Sequence, residues 1–302
     1  MRKPNAWRPY NKGYGDAGAS RKRRTLKGFR AASGSAQEDI DFNNYTLRQR
    51  ARMLYMAAPI ATSAIKCNRT NVIGSGLMLS ARVDREILGM SEAQADAWQK
   101  KAEKEFALWA ENRRACDALG INDFYELQQV ALMSWLLSGD VFCLIKGGAR
   151  NALNPYDMCL HLIEADRVST PMAYCPAGAQ WTEGKNSENG NKIHDGVEVT
   201  HEGRITAYYI RNTYPYQITT EQTTWERIEA VGKLTGMPNI MHIMDAERPE
   251  QYRGVSYLAQ IIEPLLQVRR YTSSELTAAT VESCFAGFIK TAARPDEIPM
   301  NE

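Results

Sequence analysis

The segment ERPEQYRGVSYLAQII, residues 247–262, separates a turn-rich part of the chain from its longest helical pattern. A polar run around Pro249 leads to Arg253 and Gly254, and apolar residues at helical spacing follow. Because helix N-termini bind anions, Arg253 at this boundary is compatible with an anion site. The alternative is a structural joint, in which Gly254 permits a backbone turn and Ser256 caps the helix.

The helix after this segment is predicted to run from Ser256 to about Phe285. Roughly 30 residues of helix would be about 45 Å long at 1.5 Å per residue. Pro264 falls in its interior, where a proline removes a hydrogen bond and kinks a helix. Such a helix must project from its domain or pack against other helices. Its second half favours close helix packing because it is rich in small residues: Ser273, Ser274, Thr277, Ala278, Ala279, Thr280 and Ser283.

Four further helical patterns precede this segment. The first begins at Asn43, and the second begins near Pro59 and ends at residues 74–76, Gly-Ser-Gly. The other two each begin with the spacing of a capping box, which pairs Ser91 with Gln94 and Asp123 with Glu126.

An aromatic stripe follows the helical spacing in the third of these patterns. It contains Trp98, Ala102, Phe106 and Trp109. Such stripes are more often core than ligand site, so we expect this one to be buried.

Strand patterns occupy the remaining segments and predict an α+β protein. They are LMLSARV (77–83), DVFCLIKGG (140–148), LHLIEADRVSTP (160–171) and NIMHIMD (239–245). The alternating runs of GVEVTHEGRITAYYI (196–210) predict a hairpin. Residues 176–192 are predicted to be a polar loop, and the pattern of residues 223–232 is ambiguous.

Composition indicates a soluble globular protein. The chain has 302 residues, of which 44% are hydrophobic and 24% charged. No apolar run approaches the roughly 18 residues of a membrane span, and no secretory signal is recognisable. Six scattered cysteines lack metal or disulfide spacing, which favours reduced thiols and synthesis in a reducing cytoplasm.

The charge of the chain is unevenly distributed. Residues 1–30 contain ten Lys or Arg and one Asp, whereas the remainder contains 27 basic and 34 acidic residues. Such a basic arm can contact nucleic acid or an acidic partner, or it can be a solvated, flexible segment. The candidate nucleic-acid contacts are Arg21, Lys22, Arg23, Arg24, Lys27 and Arg30.

The sequence predicts no catalytic residue, no metal site and no cofactor. None of the four histidines lies in an HExxH motif, and no nucleophile elbow or P-loop is present. GYGDAG, residues 13–18, matches GxGxxG but lacks the preceding strand and following helix of a dinucleotide site. The enzymatic alternative is a hydrolase that pairs His161, His194, His201 or His242 with nearby acids.

Six segments in one order resemble the lambda-type portal protein family of tailed bacteriophages along nearly the whole chain. They are YGDAGASRKRRTLKGF, LRQRARMLYMAAPIATSAIKCNRTNVIGSGL, EFALWAENRRACDALGINDFYELQQVALMSWLLSGDVFCL, IEADRVSTP, IHDGVEVTHEGRITAYYI and QYRGVSYLAQII. Each segment alone is unspecific, whereas six in this order with family-like spacing are specific.

The resemblance implies a non-enzymatic structural subunit of a ring, usually of twelve copies, at a capsid vertex of the virion. Double-stranded DNA is packaged and ejected through the ring. Terminase, capsid or scaffold proteins and head–tail connectors dock on it. We therefore expect a flexible basic arm (1–35), an α+β wing (36–250), a first stem helix (251–286) and the start of the clip (287–302).

The sequence departs from the family because it ends where the clip should begin, so we expect the clip, second stem helix and crown to be absent. A truncated, non-assembling portal fragment or prophage remnant that binds DNA or a partner is therefore the alternative function. Within the family architecture the opening segment becomes the wing–stem joint. Its candidate residues brace the stem within the subunit or against a ring neighbour: Gln251, Arg253, Gly254, Ser256 and Pro264.

Overall fold

The structure is a computed structural model that describes residues 18–20, 23–147, 150, 154–176 and 183–285. The chain divides into two units, residues 1–35 and 36–302. In the first unit Arg24–Leu26 form a short 3-10 helix. Arg21, Lys22, most of the GYGDAG motif and the predicted clip residues 287–302 lie outside the described residues.

Seven α-helices lie within the described part of the second unit. They are α1 (Ala36–Ala57), α2 (Pro59–Val72), α3 (Arg85–Leu88), α4 (Glu92–Ala110), α5 (Arg113–Cys116), α6 (Phe124–Ser138) and α7 (Ile262–Cys284). The predicted start of α2 is confirmed, with a proline in its first turn. Both predicted capping boxes are also confirmed, at the starts of α4 and α6.

The described strands form two antiparallel sheets. They are β1 (Asp140–Lys146), β2 (Cys159–Glu164), β3 (Glu183–Lys185), β4 (Lys192–His194), β5 (Val197–Val199), β6 (Ile205–Arg211), β7 (Trp225–Glu229) and β8 (Ile240–Met244). One sheet has the order β2-β1-β8 and the other β3-β4-β5-β6-β7. The predicted hairpin is confirmed as β5 and β6, and the α+β class is confirmed by this mixture of helix and sheet.

The predicted strand at residues 77–83 is wrong. This segment has no regular secondary structure, and side chains of neighbouring helices bind its backbone N–H groups in place of a strand partner. Gln128 of α6 accepts from Leu77 at 2.7 Å, and Glu103 of α4 accepts from Ala81 at 3.0 Å. The loop predicted at 176–192 is also partly wrong, since β3 and the first residue of β4 lie in it.

The aromatic stripe of α4 is buried only towards its C-terminal end. Trp109 is buried and packs against Phe124 at a ring-centroid distance of 5.3 Å, with Phe106 beside both. Trp98 is half exposed, so the core prediction is wrong for this residue. The stripe continues past the edge of the domain core.

The long helix begins later than predicted. After a 3-10 turn at Ala259–Ile261, α7 starts at Ile262 and has 23 residues, about 35 Å at 1.5 Å per residue. The prediction of a start at Ser256 is wrong. Pro264 is the third residue of α7, in a first turn whose N–H groups have no partner within a helix. The prediction of an interior kink at Pro264 is therefore also wrong.

Two hydrophobic clusters flank the loop between β8 and α7. The first joins the two sheets through residues such as Phe142, Val197 and Tyr208. The second joins α1 and α2 to Leu258 and to the first turn of α7. Arg253 lies in the intervening loop, where no side chain is more completely buried.

Candidate functional site: a buried arginine–aspartate network

Arg253 and Asp140 form an ion pair with no solvent exposure on either side chain. Arg253 Nε donates to Asp140 Oδ2 at 2.6 Å, and Nη2 donates to Oδ1 at 3.2 Å. This bidentate geometry uses the planar fork of the guanidinium. The pair connects the first residue of β1 to the loop before α7.

The remaining donors of Arg253 also have partners in the same chain. Nη1 donates to the carbonyl oxygens of Val168, at 2.9 Å, and of Asp195, and lies 2.7 Å from Asp195 Oδ2. Nη2 also donates to the carbonyl oxygen of Ala165 at 2.9 Å. All three guanidinium nitrogens are thus engaged and buried, which leaves no donor for an external anion. The anion-site interpretation of Arg253 is therefore wrong.

Helix α1 contributes two further arginines to this network. Arg48, which is buried, donates to Asp195 Oδ2 at 2.6 Å and lies 3.6 Å from Asp166. Arg52 donates to Asp166 Oδ2 at 2.6 Å and to Ser138 at the end of α6. We call the residues Arg48, Arg52, Asp140, Asp166, Asp195 and Arg253 the joint network.

Asp140 is ionised within the joint network. Burial raises its pKa, but Arg253 and His242 outweigh burial and hold the pKa of Asp140 well below its usual range. His242 Nε2 lies 3.3 Å from Asp140 Oδ2, and its ring stacks on Phe142 at 4.2 Å. The single carboxylate of Asp140 therefore contacts a histidine, an arginine and, at 3.2 Å, the backbone N–H of Gly254.

Gly254 packs backbone to backbone against Gly139, at the junction of α6 and β1. A β-carbon at position 254 would lie 1.9 Å from the Gly139 carbonyl oxygen, and one at position 139 would lie 2.4 Å from Gly254. Gly254 does not have a positive φ, whereas Glu250 does, at 59°. The expectation that Gly254 permits a turn is therefore wrong, and close approach explains this glycine.

Gln251 and Ser256 hold the loop on either side of Arg253. Gln251 Oε1 accepts from the N–H groups of Glu247 and Arg248, and its Nε2 donates to the Arg253 carbonyl oxygen at 2.9 Å. Ser256 Oγ accepts from Leu258 N–H at 3.2 Å. Ser256 thus caps a turn six residues before α7 and not the helix itself, which corrects that expectation.

The predicted joint residues are only partly brought together. Gln251, Arg253, Gly254 and Ser256 are buried in one loop, and the partners given above all lie in the same chain. Pro264 is exposed on the first turn of α7 and is not part of the joint network. A role of these residues in assembly stays a prediction.

The basic arm stays a prediction as a nucleic-acid interface. Arg23, Arg24, Lys27 and Arg30 are exposed in the first unit. Exposure alone does not distinguish a nucleic-acid contact from a solvated arm.

Sequence reasoning found only Arg253 of the joint network and missed its three aspartates as well as Arg48 and Arg52. Asp140 directly follows Gly139 and opens a strand whose next four residues are buried. A carboxylate at the start of a buried strand needs a cationic partner, which is a usable signal. Nothing in the sequence indicated which arginine would be that partner.

Asp41 and Asn44 of α1 are buried next to the joint network. Asn44 Nδ2 donates to the Gly254 carbonyl oxygen at 2.8 Å, but Asn44 Oδ1 and Asp41 Oδ2 have no hydrogen-bond partner among the described residues. Burial raises the pKa of Asp41 to about 7; Asp195 adds to the shift, and Arg253 and Arg48 oppose it.

Glu198 on β5 is the centre of a separate polar cluster. Arg227 donates to both of its carboxylate oxygens, at 2.8 and 2.9 Å. Asn186, Asn189, Asn191, Thr206 and Tyr209 donate to it as well. Burial raises the pKa of Glu198, but these donors outweigh burial and hold it well below its usual range. This cluster ties the β3–β4 turn to β5, β6 and β7.

The described residues contain no group of three or more His, Cys, Asp or Glu side chains arranged to hold a metal ion. None of the described helices combines the length and hydropathy needed to cross a membrane.

Comparison with known proteins matches this chain to phage portal proteins. The family model described as phage portal protein, lambda family, matches residues 22–301. The probable portal protein of Halomonas phage phiHAP-1 is 26% identical over 277 residues, which cover 90% of this chain and 48% of that protein. Portal protein B of Escherichia phage lambda is 20% identical over 233 residues, 76% of this chain and 40% of that protein. The chain thus spans half or less of the length of these relatives.

Proposed function

The chain belongs to the lambda family of phage portal proteins, and from this we propose that it is a subunit of the ring at a capsid vertex through which DNA is packaged and ejected. In this proposal the second unit supplies the wing and α7 is the first stem helix. The family resemblance suggests twelve subunits. Terminase and the capsid, scaffold and connector proteins would be its partners.

The exposure of α7 is the observation that carries this proposal. Every described residue from Leu266 to Phe285 is exposed. Apolar side chains are among them, including Tyr271 at 66%, Leu276 at 65% and Phe285 at 79%. Helices are stabilised mainly by tertiary packing. A long helix whose apolar side chains are exposed to solvent therefore needs other helices to pack against. In a ring those neighbours would be the same helices of adjacent subunits.

Helix α7 is well suited to that packing. Its exposed surface has a shallow groove lined by small side chains, Ser273, Ser274, Thr277 and Ala278. Small residues allow close approach of helix backbones. The joint network would set the direction in which α7 leaves the wing, because it fixes the preceding loop on α1, α6 and β1.

The oligomeric state of the purified protein tests this proposal. We expect rings by negative-stain microscopy and a matching mass by light scattering. Leu276→Asp should shift the protein to monomers, because it places a charge on the packing surface of α7. Ile218→Asp is the matched control, since Ile218 is fully exposed in a loop. A protein that stays monomeric at all concentrations, or rings that tolerate Leu276→Asp, would contradict the proposal.

The basic arm supports a second candidate function, binding of DNA without assembly. Ten of the first 30 residues are Lys or Arg. Binding driven by such residues weakens steeply with salt, because DNA counterions are released. We expect removal of residues 1–30 to abolish salt-dependent DNA binding by a monomer. Binding that is unchanged by the deletion would argue against this candidate.

A further inference from the structure

Asp41 is the buried carboxyl group near the joint network that has no cation of its own. Arg253 binds Asp140 and Asp195, Arg48 binds Asp195, and Arg52 binds Asp166. Among the described residues no arginine or lysine forms an ion pair with Asp41. An ionised carboxylate buried without such a partner is costly, and a group in this position takes up a proton instead.

A proton on Asp41 would satisfy two orphaned oxygens at once. Asp41 Oδ2 and Asn44 Oδ1 both lack a hydrogen-bond donor, and both atoms are buried. Residues three apart on a helix are neighbours on its surface. A protonated Asp41 would thus be a donor on the same face of α1 as Asn44 Oδ1.

Asn44 also forms a hydrogen bond with the loop before α7. Its amide Nδ2 donates to the carbonyl oxygen of Gly254, the residue whose backbone packs on Gly139. A hydrogen-bonded chain from Asp41 through Asn44 to Gly254 would thus connect α1 to the joint. Ionisation of Asp41 would remove the first of these bonds and leave Asn44 Oδ1 without a donor.

Burial, and not the charged surroundings, favours the neutral form of Asp41. The nearest charges have both signs and balance each other within the joint network. Several titratable or charged groups face Asp41 or share its cavity of about 340 Å³. They come from its own helix and from other parts of the chain: Arg48, Tyr45, Asp140, Asp166, Asp195, Arg211, Tyr216 and Arg253.

We propose that Asp41 is a proton-dependent lock that holds α1 on the loop before α7 when protonated and loosens this contact when ionised. The lock is a property of the single subunit and does not depend on ring formation. It would make the direction of α7 sensitive to pH in the neutral range.

The sign of the effect follows from proton linkage. A carboxyl group that binds its proton more tightly in the folded protein stabilises the fold fully at low pH, and this stability is lost as pH rises towards its folded-state pKa. One such group changes the opening equilibrium by at most about tenfold per pH unit. The change should begin near the ordinary pKa of an aspartate, about 4, continue to about pH 7 and level off above that.

Hydrogen exchange of the whole protein between pH 5 and 8 tests the lock. The readout is the opening constant of residues 36–57 and 251–258, after correction for the intrinsic exchange rate at each pH. We expect this constant to rise with pH in the wild type. Asp41→Asn should hold it near the low-pH value, because asparagine is uncharged and its amide can donate to Asn44. Asp96→Asn, at an exposed position of α4, should follow the wild type.

Two results would overturn the proposal. The first concerns the Asp41→Asn variant. The proposal is wrong if this variant has the same pH profile as the wild type, is less protected than the wild type at pH 7.5, or fails to fold. The other comes from a direct measurement that needs no variant, the ¹³Cγ chemical shift of Asp41 during a pH titration. A titration midpoint near neutrality supports the lock, and a midpoint at the ordinary value of an aspartate, about 4, contradicts it.

Discussion

The backbones of Gly139 and Gly254 touch where α6 passes into β1 and the loop approaches α7. A side chain at position 254 would place its β-carbon 1.9 Å from the Gly139 carbonyl oxygen, a distance that requires the backbone to move. The same contact lies beside the Arg253–Asp140 pair, whose carboxylate also accepts the Gly254 N–H. The position of the loop is thus determined by steric contact and charge together.

Gly254→Ala should destabilise the protein by about 1–3 kcal/mol, the typical cost of overpacking a close contact. Gly139→Ala should cost at least as much, because its φ of 91° adds backbone strain. Urea unfolding measures both. Gly89→Ala is the control, since Gly89 also has a positive φ but has open space around it. A Gly139→Ala cost no larger than that of Gly89→Ala would show that the close contact is unimportant.

Arg253→Met should lower the free energy of unfolding by about 3–5 kcal/mol, because it leaves the carboxylate of Asp140 buried and unpaired. Arg253→Lys should not restore this loss, since one ammonium group cannot reach all the partners of the guanidinium fork. Arg85→Met is the control; the Arg85–Glu92 pair is exposed, and such pairs contribute less than about 1 kcal/mol.

The coupling between Arg253 and Asp140 can be measured separately. Asp140→Asn in the Arg253→Met background removes the stranded charge, so the double variant should lose less stability than the sum of the single variants. Strict additivity in chemical denaturation would mean that the two side chains do not act as a pair.

Glu198→Gln should lower stability at pH 7 by about 2 kcal/mol, because the donors around Glu198 bind a carboxylate more strongly than an amide. The pKa of Glu198 is depressed in the folded protein, so its stabilising effect is present above the unfolded-state pKa of about 4.3 and is lost as pH falls below that value. The unfolding midpoint of the variant should therefore decline less between pH 5 and 3 than that of the wild type. Glu202→Gln, at an exposed position of the β5–β6 turn, should leave the wild-type decline intact.

Asp123→Ala should destabilise the protein by about 1 kcal/mol, because it removes the carboxylate that accepts from Glu126 N–H at the start of α6. The change can be measured by thermal unfolding. Asp96→Ala, within the exposed face of α4, should change the melting temperature much less. Equal effects of the two substitutions would show that the capping box contributes little.

Local patterns predicted most of the elements correctly. The two capping boxes, the proline at the start of α2, the β5–β6 hairpin and the buried strand β1 each depend on residues close together in the chain. Their geometry follows from backbone chemistry and from the alternation of apolar side chains, both of which can be read without tertiary contacts. The order of six such segments was also enough to identify the family.

Two of the errors share one physical cause, which is competition from distant partners. Residues 77–83 have the composition of a strand, but helix side chains bind their backbone. The segment from Ser256 has helical spacing, yet Tyr257 N–H donates a hydrogen bond to the carbonyl oxygen of Leu136 at 2.9 Å. Helix α7 therefore starts only at Ile262. In both places a long-range hydrogen bond outweighs the local preference.

Most of the elements, the α+β class and membership of the portal family could be predicted from the amino-acid order, because periodicity, caps and motif order are local properties. The joint was not. Arg253 and Asp140 are 113 residues apart, and Gly254 and Gly139 are 115 apart, so only folding brings each pair together. Tertiary structure decided which arginines bind Asp140, Asp166 and Asp195, and that Asp41 has no such partner among the described residues. The reason is that the cost of burying a charge depends on what surrounds it and not on its neighbours in sequence.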